Sequence, residues 1–265
     1  MNYKIREDIN IKSYLSSFYL SKSKIYKLFL EGKVLVNDKI VKDNYDLVNG
    51  DMLTIIDEKL DIKPYPYDLK ILYEDDYILI IDKPYGYIIH GEEDAVDNMV
   101  AYYYKSHNLD LKVRHVHRLD KETTGILVYA KDILTEAYFN HHFELHDFTR
   151  YYLAKVAGKL TKDITIEKPI AKDRHQNNRY LISITGKYAK TFVHVLEHHK
   201  DYTLVLVRLF TGRTHQIRVH LKSINHPLLN DPLYNEGKGK MYLRSYKFTF
   251  IHPFTKIQLT IEAPI

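Results

Sequence analysis

The amino-acid sequence predicts an α+β fold, in which a large domain built on a mixed, mainly antiparallel sheet follows a small module made of a helix pair plus β-strands. Three observations predict it. Strand-like apolar runs outnumber helical ones. They do not alternate with helices in the βαβ rhythm of a doubly wound sheet. Early in the chain, Lys63-Pro64-Tyr65-Pro66-Tyr67 breaks the pattern with two prolines, which disfavour helix and stiffen the backbone as a short linker would. The expected division is a module over 1–60, a linker over 61–67 and the large domain over 68–265. A chain of 265 residues is long enough for both parts.

In the first part, Ile11, Tyr14, Leu15 and Phe18 follow the i, i+3, i+4, i+7 spacing of an amphipathic helix. Ile25, Leu28 and Phe29 repeat it after Ser21 or Ser23, either of which suits an N-cap, and Gly32 ends the second helix. Val34 to Val36 and Met52 to Ile56 are short strands flanking Asn37-Asp38 and the turn Asn49-Gly50-Asp51. Beyond the prolines, Ile71 to Tyr73 and Tyr77 to Ile81 are strands joined by the acidic turn Glu74-Asp75-Asp76, and Pro84-Tyr85-Gly86 turns the chain before Ile88-Ile89. Ile126 to Ala130, Tyr151 to Val156, Tyr202 to Leu209, Phe248 to Ile251 and Ile257 to Ile261 continue the strand series. Helices are expected over Val96 to Ser106, Thr135 to Phe143, and Thr214 to Ile224 after a turn at Thr211-Gly212.

Composition narrows the chemistry. With no cysteine, disulfides, thiolate metal sites and cysteine nucleophiles are excluded. The N-terminus lacks the apolar core of a signal peptide and no window is apolar enough to span a bilayer, so a cytoplasmic protein without membrane contact is expected, and a monomer. Lys and Arg exceed Asp and Glu by only 39 to 34, but the positive charges cluster. Arg208, Arg213 and Arg218 form one group, Lys172, Arg174, Arg179, Lys187 and Lys190 a second, and Lys238, Lys240, Arg244 and Lys247 a third. Any one cluster alone is as well read as a solvated face; together they suit a polyanion. The 24 tyrosines are not in themselves a sign of base stacking.

The most telling stretch is HRLDKETTG, His117 to Gly125, with an apolar strand directly behind it. It presents Asp120 on a rigid loop, where a carboxylate can act as nucleophile or base. A lone Asp in a turn is more often a local hydrogen-bond acceptor. Arg118, two residues earlier, projects to the same side if the stretch is extended, and a guanidinium there can hold phosphate or enter a stack of bases. A second stretch, Thr211 to His220, carries Arg213, His215, Gln216, Arg218 and His220. A buried Arg218 requires a carboxylate and a buried Asp120 a cation, so the two are expected to pair. The bland alternative is a basic helix that docks on RNA without chemistry. His142 and His146 are four apart, but the order does not match HExxH, so a surface histidine cluster is preferred to a metal site. No Walker-type loop or GxGxxG is present, so a nucleotide cofactor has no visible cradle.

These residues resemble the pseudouridine synthases that modify large-subunit ribosomal RNA and, in some members, transfer RNA. The resemblance rests on HRLDKETTG at 117–125, on Arg150-Tyr151-Tyr152-Leu153-Ala154 with Val156, and on GRTHQIRVH at 212–220. Asp82-Lys83-Pro84-Tyr85-Gly86, His226-Pro227-Leu228 with Asp231 and Tyr234, and His252-Pro253 support it in the family's order. Residues 11–56 separately resemble the small RNA-binding module named after ribosomal protein S four, which points to Lys22, Lys24 and Lys27 as RNA contacts.

The resemblance implies that Asp120 is the catalytic aspartate and that Arg118 helps hold the target nucleotide out of the helix. It implies that Tyr152 stacks on the target uracil and is placed to assist proton removal, and that Arg218 pairs with the catalytic carboxylate. His117, Arg213, His215 and Gln216 are assigned to site support or RNA contact. Leu243-Arg244-Ser245 departs from a common Leu-His-Ala, and Asn230 and Asn235 replace common glycines; both departures bear on the target site more than on the reaction. The implied reaction breaks a glycosidic bond, rotates the base and joins the sugar to carbon five of uracil, with no net redox change and no cofactor. Base extrusion costs a few kcal/mol. Whether Asp120 attacks the sugar, attacks carbon six of the base or abstracts a sugar proton stays open. The expectation is a large-subunit ribosomal RNA enzyme. The rivals are a transfer RNA pseudouridine synthase, a non-catalytic RNA-binding or ribosome-assembly protein and, weakest, a metal-dependent hydrolase.

Overall fold

The computed structural model describes residues 1–237 and 239–265, so Lys238 of the third basic group lies outside the described residues. The chain opens with β1 (Asn2–Lys4), β2 (Ile9–Asn10), α1 (Ile11–Ser17), α2 (Lys22–Leu30), β3 (Val34–Val36), β4 (Lys39–Ile40), β5 (Asp46–Leu47) and β6 (Met52–Ile55). Asn10 and Ser21 cap the two helices, their side chains accepting from Lys12 N–H and Lys24 N–H. A four-stranded sheet in the order β1-β6-β3-β4 lies with the helix pair, around Tyr3, Ile11, Leu15, Ile25, Val34 and Leu53.

Next come β7 (Ile71–Glu74), β8 (Ile78–Lys83), α3 (Val96–Ser106), β9 (Thr124–Ala130), α4 (Ile133–Leu145), β10 (Thr149–Ala157), β11 (Ile164–Glu167), β12 (Ile170–Lys172), β13 (Tyr180–Ile182), β14 (Lys190–His198), β15 (Tyr202–Leu209), α5 (Gln216–Lys222), β16 (Leu243–Ile251) and β17 (Gln258–Glu262). Among the described residues the main sheet runs β11-β14-β15-β10-β16-β9-β8-β7, with β17 paired to the far half of β16. Every pairing in it is antiparallel except β16 with β9. The α+β expectation with a mainly antiparallel sheet therefore stands.

The central strands are buried on both faces, which is why they read as unbroken apolar runs rather than as alternation. Ile78, Ile80, Ile126 and Val128 face α4 and Phe248, while Leu79, Ile81, Leu127 and Tyr129 face Val96, Met99 and Val100 of α3. On the other half of the sheet, Ala154, Val156, Val193, Val205 and Val207 pack with Ile217 and Leu221 of α5.

Local expectations differ from the structure at helix ends. The helix expected over 214–224 starts only at Gln216, because His215 sits in the left-handed region (φ 55°) and cannot propagate a right-handed turn. Thr214 is therefore off the helix. Helix α4 starts two residues early because the Asp132 carboxylate accepts from Leu134 N–H and Thr135 N–H, and it ends at His146 with φ 62°. Ile88-Ile89 form no strand. His141 and His142 are half-buried against Tyr19 and Tyr138 instead of lying free on the surface.

The first part of the chain packs on the second. Leu134 joins the N-terminal cluster, Tyr3 stacks on Phe254 at 5.4 Å, and the Tyr3 hydroxyl donates to Asp132 Oδ1 at 2.9 Å. Asp57 accepts from Arg114 Nη2 at 2.6 Å and from Ile133 N–H at 3.0 Å.

Candidate active site

The Asp120 loop is held from beneath by backbone and buried polar groups. Strand β9 behind it pairs in parallel with β16, placing Gly125 beside Ser245. At Gly125 φ is 101°, and a Cβ there would lie 2.2 Å from the Ser245 carbonyl oxygen, so only glycine fits. Lys83, fully buried at the end of β8, donates from Nζ to the carbonyls of Pro84, Lys121 and Thr123 at 3.0 to 3.2 Å. Burial pushes its ammonium down to about 8, with the Asp120 and Glu122 charges opposing. Thr123 N–H closes the turn onto the Asp120 carbonyl at 3.0 Å.

Helix α5 brings Arg218 in from 98 residues away. Its Nη1 donates to Asp120 Oδ2 at 3.0 Å, the contact expected from the cost of burying either charge alone. The guanidinium also makes a fork-to-fork pair with Asp231, Nε to Oδ2 at 2.8 Å and Nη2 to Oδ1 at 2.7 Å. Arg218 is 1% exposed and Asp231 0%, whereas Asp120 is 25% exposed and faces the cleft. Asp231 also accepts from Leu233 N–H and Tyr234 N–H, which fixes its orientation. The bidentate partner is the stronger one. Two carboxylates on one guanidinium leave Asp120 oriented without being neutralised outright.

Tyr152 of β10 closes the other side. The pairing of β10 with β16 slips by one residue between Tyr151 and Tyr152, a bulge of the kind that re-aims a side chain next to a site. Tyr152 is 7% exposed, and burial raises its hydroxyl above the ordinary range while Arg150 opposes. His215 caps the arrangement, with Nδ1 2.9 Å from the Tyr234 hydroxyl and Nε2 3.8 Å from Asp120 Oδ2. Burial holds its imidazole below the ordinary value, with Asp120 opposing. These groups surround a cleft of about 710 Å³, which Arg118 and Arg213 also line.

The sequence-predicted site residues divide by what they touch. Asp120, Tyr152, Arg218 and His215 converge on the cleft, and Arg118 projects beside them, exposed. Gln216 uses its amide within the loop: Oε1 accepts from the Thr211 hydroxyl and Arg213 N–H, and Nε2 donates to the Lys190 carbonyl and to Thr191 Oγ1. His117 Nε2 accepts from Val128 N–H at 3.1 Å, its ring lies against Phe143 and Phe248, and burial pushes it down to about 3. Arg213 Nε donates to the Tyr188 carbonyl. Lys22, Lys24 and Lys27 are exposed on α2, away from the buried Ile25 and Leu28.

Asp231 and Lys83 went unassigned from sequence, although both lie in quoted motifs, because no local periodicity links them to Asp120. Metal-ligand chemistry among the described residues gathers at His90, Asp97 and His115, with ligand atoms within 4.8 Å of one another, and not at His142 and His146. Both Asp97 oxygens are engaged, by His115 Nδ1 at 3.0 Å and the Tyr129 hydroxyl at 2.9 Å, so this carboxylate orients His115.

Residues 77–223 match the family described as RNA pseudouridylate synthase. The chain is 39% identical over 245 residues to an uncharacterized RNA pseudouridine synthase, YhcT, of Bacillus subtilis, covering 88% of this chain and 81% of that protein. It is 35% identical over 273 residues to ribosomal large subunit pseudouridine synthase D of Vibrio cholerae, covering 92% and 83%. The fold is similar to that of human RNA Pseudouridylate Synthase Domain Containing 1, with TM-score 0.65, 24% identity, and 77% of this chain and 86% of that one covered. More than half of the chain matches the family and its relatives align along most of their length, so the protein belongs to the RNA pseudouridylate synthase family and is an RNA pseudouridine synthase, an isomerase.

Proposed function

We propose that the enzyme converts specific uridines of large-subunit ribosomal RNA to pseudouridine, with Asp120 performing the glycosidic chemistry. The observation that carries this reading is the partly exposed Asp120 carboxylate in the cleft, fixed by an arginine that is itself anchored on Asp231. A relative named for the ribosomal large subunit aligns over 92% of the chain, which favours that RNA as target.

In the proposed reaction the uracil leaves its stack, Arg118 fills the space it vacates, and Tyr152 supplies a face for the base. The bond from N1 of uracil to the sugar breaks, and Asp120 stabilises or captures the electron-poor sugar carbon, as carboxylates do in glycosidases. The base turns, carbon five bonds to the sugar, the proton on carbon five departs and N1 gains one. Atoms and electrons balance without a cofactor. Because Asp231 shares Arg218, the Asp120 carboxylate keeps negative potential for the developing positive charge. Residues 1–60, with Lys22, Lys24 and Lys27 on α2, act as an RNA-binding module joined through the 61–67 linker to the catalytic domain over 68–265.

The test is release of tritium from carbon five of uracil in cellular RNA. Wild type releases it from ribosomal RNA, and Asp120→Asn does not. Release from no RNA by the wild type refutes the target and the reaction in this chain; full activity in Asp120→Asn refutes the role of Asp120.

A further inference from the structure

Arg150 stands two residues before Tyr152 on β10 and lines the same cleft, yet it has no part in the chemistry above. Its guanidinium lies over the Phe143 ring, with Cζ 5.6 Å from the centroid. Gly212 sits against it so closely that a Cβ there would come within 3.2 Å of Nη1. Nε and Nη2 are buried and have no hydrogen-bond partner among the described residues. His146, the left-handed residue at the end of α4, lines the same cleft, and its Nδ1 is likewise buried without a partner. Burial holds the imidazole below its ordinary value, followed by the charges of Arg150 and Arg213, while the Phe143 backbone and then Asp147 oppose.

A buried guanidinium whose N–H groups meet no acceptor is costly, and such groups call for a partner from outside the fold, whether water, an ion or a ligand. Among the described residues no carboxylate compensates Arg150; burial lowers its basicity and the Tyr152 hydroxyl works the other way. The cleft carboxylate, Asp120, is committed to Arg218. What remains is a set of N–H donors around a planar fork placed over an aromatic ring, the arrangement that suits a tetrahedral oxyanion.

We propose that Arg150, with His146 and Arg213 beside it, forms a phosphodiester-binding subsite that grips an RNA backbone phosphate next to the nucleotide at Tyr152. The proposal rests on the reading that the target nucleotide occupies the Asp120 cleft. It assigns the unpaired donors to the polymer, so the substrate brings the counter-charge that the fold omits.

Two measurements on the full chain test it, and neither reads tritium release, so failure here is distinct from failure of the proposed reaction. In the first, fluorescein-labelled pentauridylate is titrated with wild type, Arg150→Met and Arg150→Lys at several potassium chloride concentrations. Arg150→Met should bind about ten- to a hundredfold more weakly, with the plot of log affinity against log salt shallower by about 0.7, the value for one lost phosphate contact on a single strand. Arg150→Lys, which keeps the charge but not the fork, should fall between. In the second, thermal unfolding is followed in inorganic phosphate and in potassium chloride of equal ionic strength. Phosphate should raise the wild-type midpoint. Arg150→Met should melt no lower than wild type in chloride and show no phosphate response. Unchanged affinity and slope in both variants, a wild type indifferent to phosphate, or a phosphate response that survives in Arg150→Met would overturn the subsite. An Arg150→Met that melts lower in chloride would assign Arg150 to the fold instead, unless Arg150→Lys melts like wild type and still shows the intermediate affinity.

Discussion

Replacing Asp231 by Asn keeps the shape but removes one negative charge from the buried Arg218 pair and turns one of its two acceptors into an N–H donor facing the guanidinium. Both partners are nearly inaccessible, and the pair is bidentate at 2.7 and 2.8 Å. Breaking a buried pair by neutralising one partner typically costs about 3 to 5 kcal/mol, because the remaining charge is left uncompensated. Here Asp120 still contacts Arg218 at 3.0 Å, so the low end, about 3 kcal/mol, is expected. For a chain of this size that corresponds to a melting midpoint lower by roughly 6 to 12 °C. Activity should fall even where the protein is folded, because Arg218 then compensates Asp120 alone and dampens its potential toward the sugar. The assay is tritium release under single-turnover conditions at 25 °C, with the midpoint measured on the same preparation. A variant with wild-type midpoint and wild-type single-turnover rate would refute the view that Asp231 anchors Arg218.

Gly125→Ala should abolish the folded enzyme, since the new methyl would meet the Ser245 carbonyl at 2.2 Å and the backbone has φ 101°; soluble protein with a wild-type circular dichroism melt would contradict the close approach of β9 to β16. Stability should also depend on acid through His117. Its folded value, about 3, lies below the unfolded value near 6.5, so the unfolded chain binds more protons between them. The contribution is therefore complete above about 6.5 and lost as pH falls toward 3, and His117→Gln should flatten urea-unfolding free energy across that window; an equal pH slope in the two proteins would rule out the neutral buried ring. Deleting residues 1–60 should weaken RNA binding and leave 61–265 folded but with a lower melting midpoint, because Leu134 and Phe254 lose their apolar cover and Asp132 its tyrosine donor. Loss of any cooperative transition in 61–265 would contradict an independent large domain.

Much of the molecule is legible in the order of its residues. The runs Ile78 to Ile81 and Ile126 to Ala130 announce strands buried on both faces, and α3 lies over the span its apolar pattern marks. The Asp120 loop is legible because its parts are contiguous, and the cost of burying a lone charge was enough to pair Asp120 with Arg218. Strand β14, Lys190–His198, is less legible because Lys190, His194, Glu197 and His198 interrupt its apolar residues, and only pairing with β15 commits it.

Other features exist only once distant segments meet. Asp231 as the stronger partner of Arg218, Lys83 as the prop beneath the loop and Gly125 as the one residue that fits against Ser245 each depend on contacts between separate segments, and sequence periodicity reports only neighbours along one element. Gln216 and His117 show the same limit from the other side, since their motif positions point to the cleft while their hydrogen bonds are spent inside the fold. The sequence by itself determined the fold class, the carboxylate and its need for a cation, because those follow from local patterning and the energetics of single buried charges. Tertiary structure alone decided how that cation is shared and which arginine, Arg150, is left with buried donors and no acceptor, because satisfaction of a buried polar group depends on every segment that surrounds it.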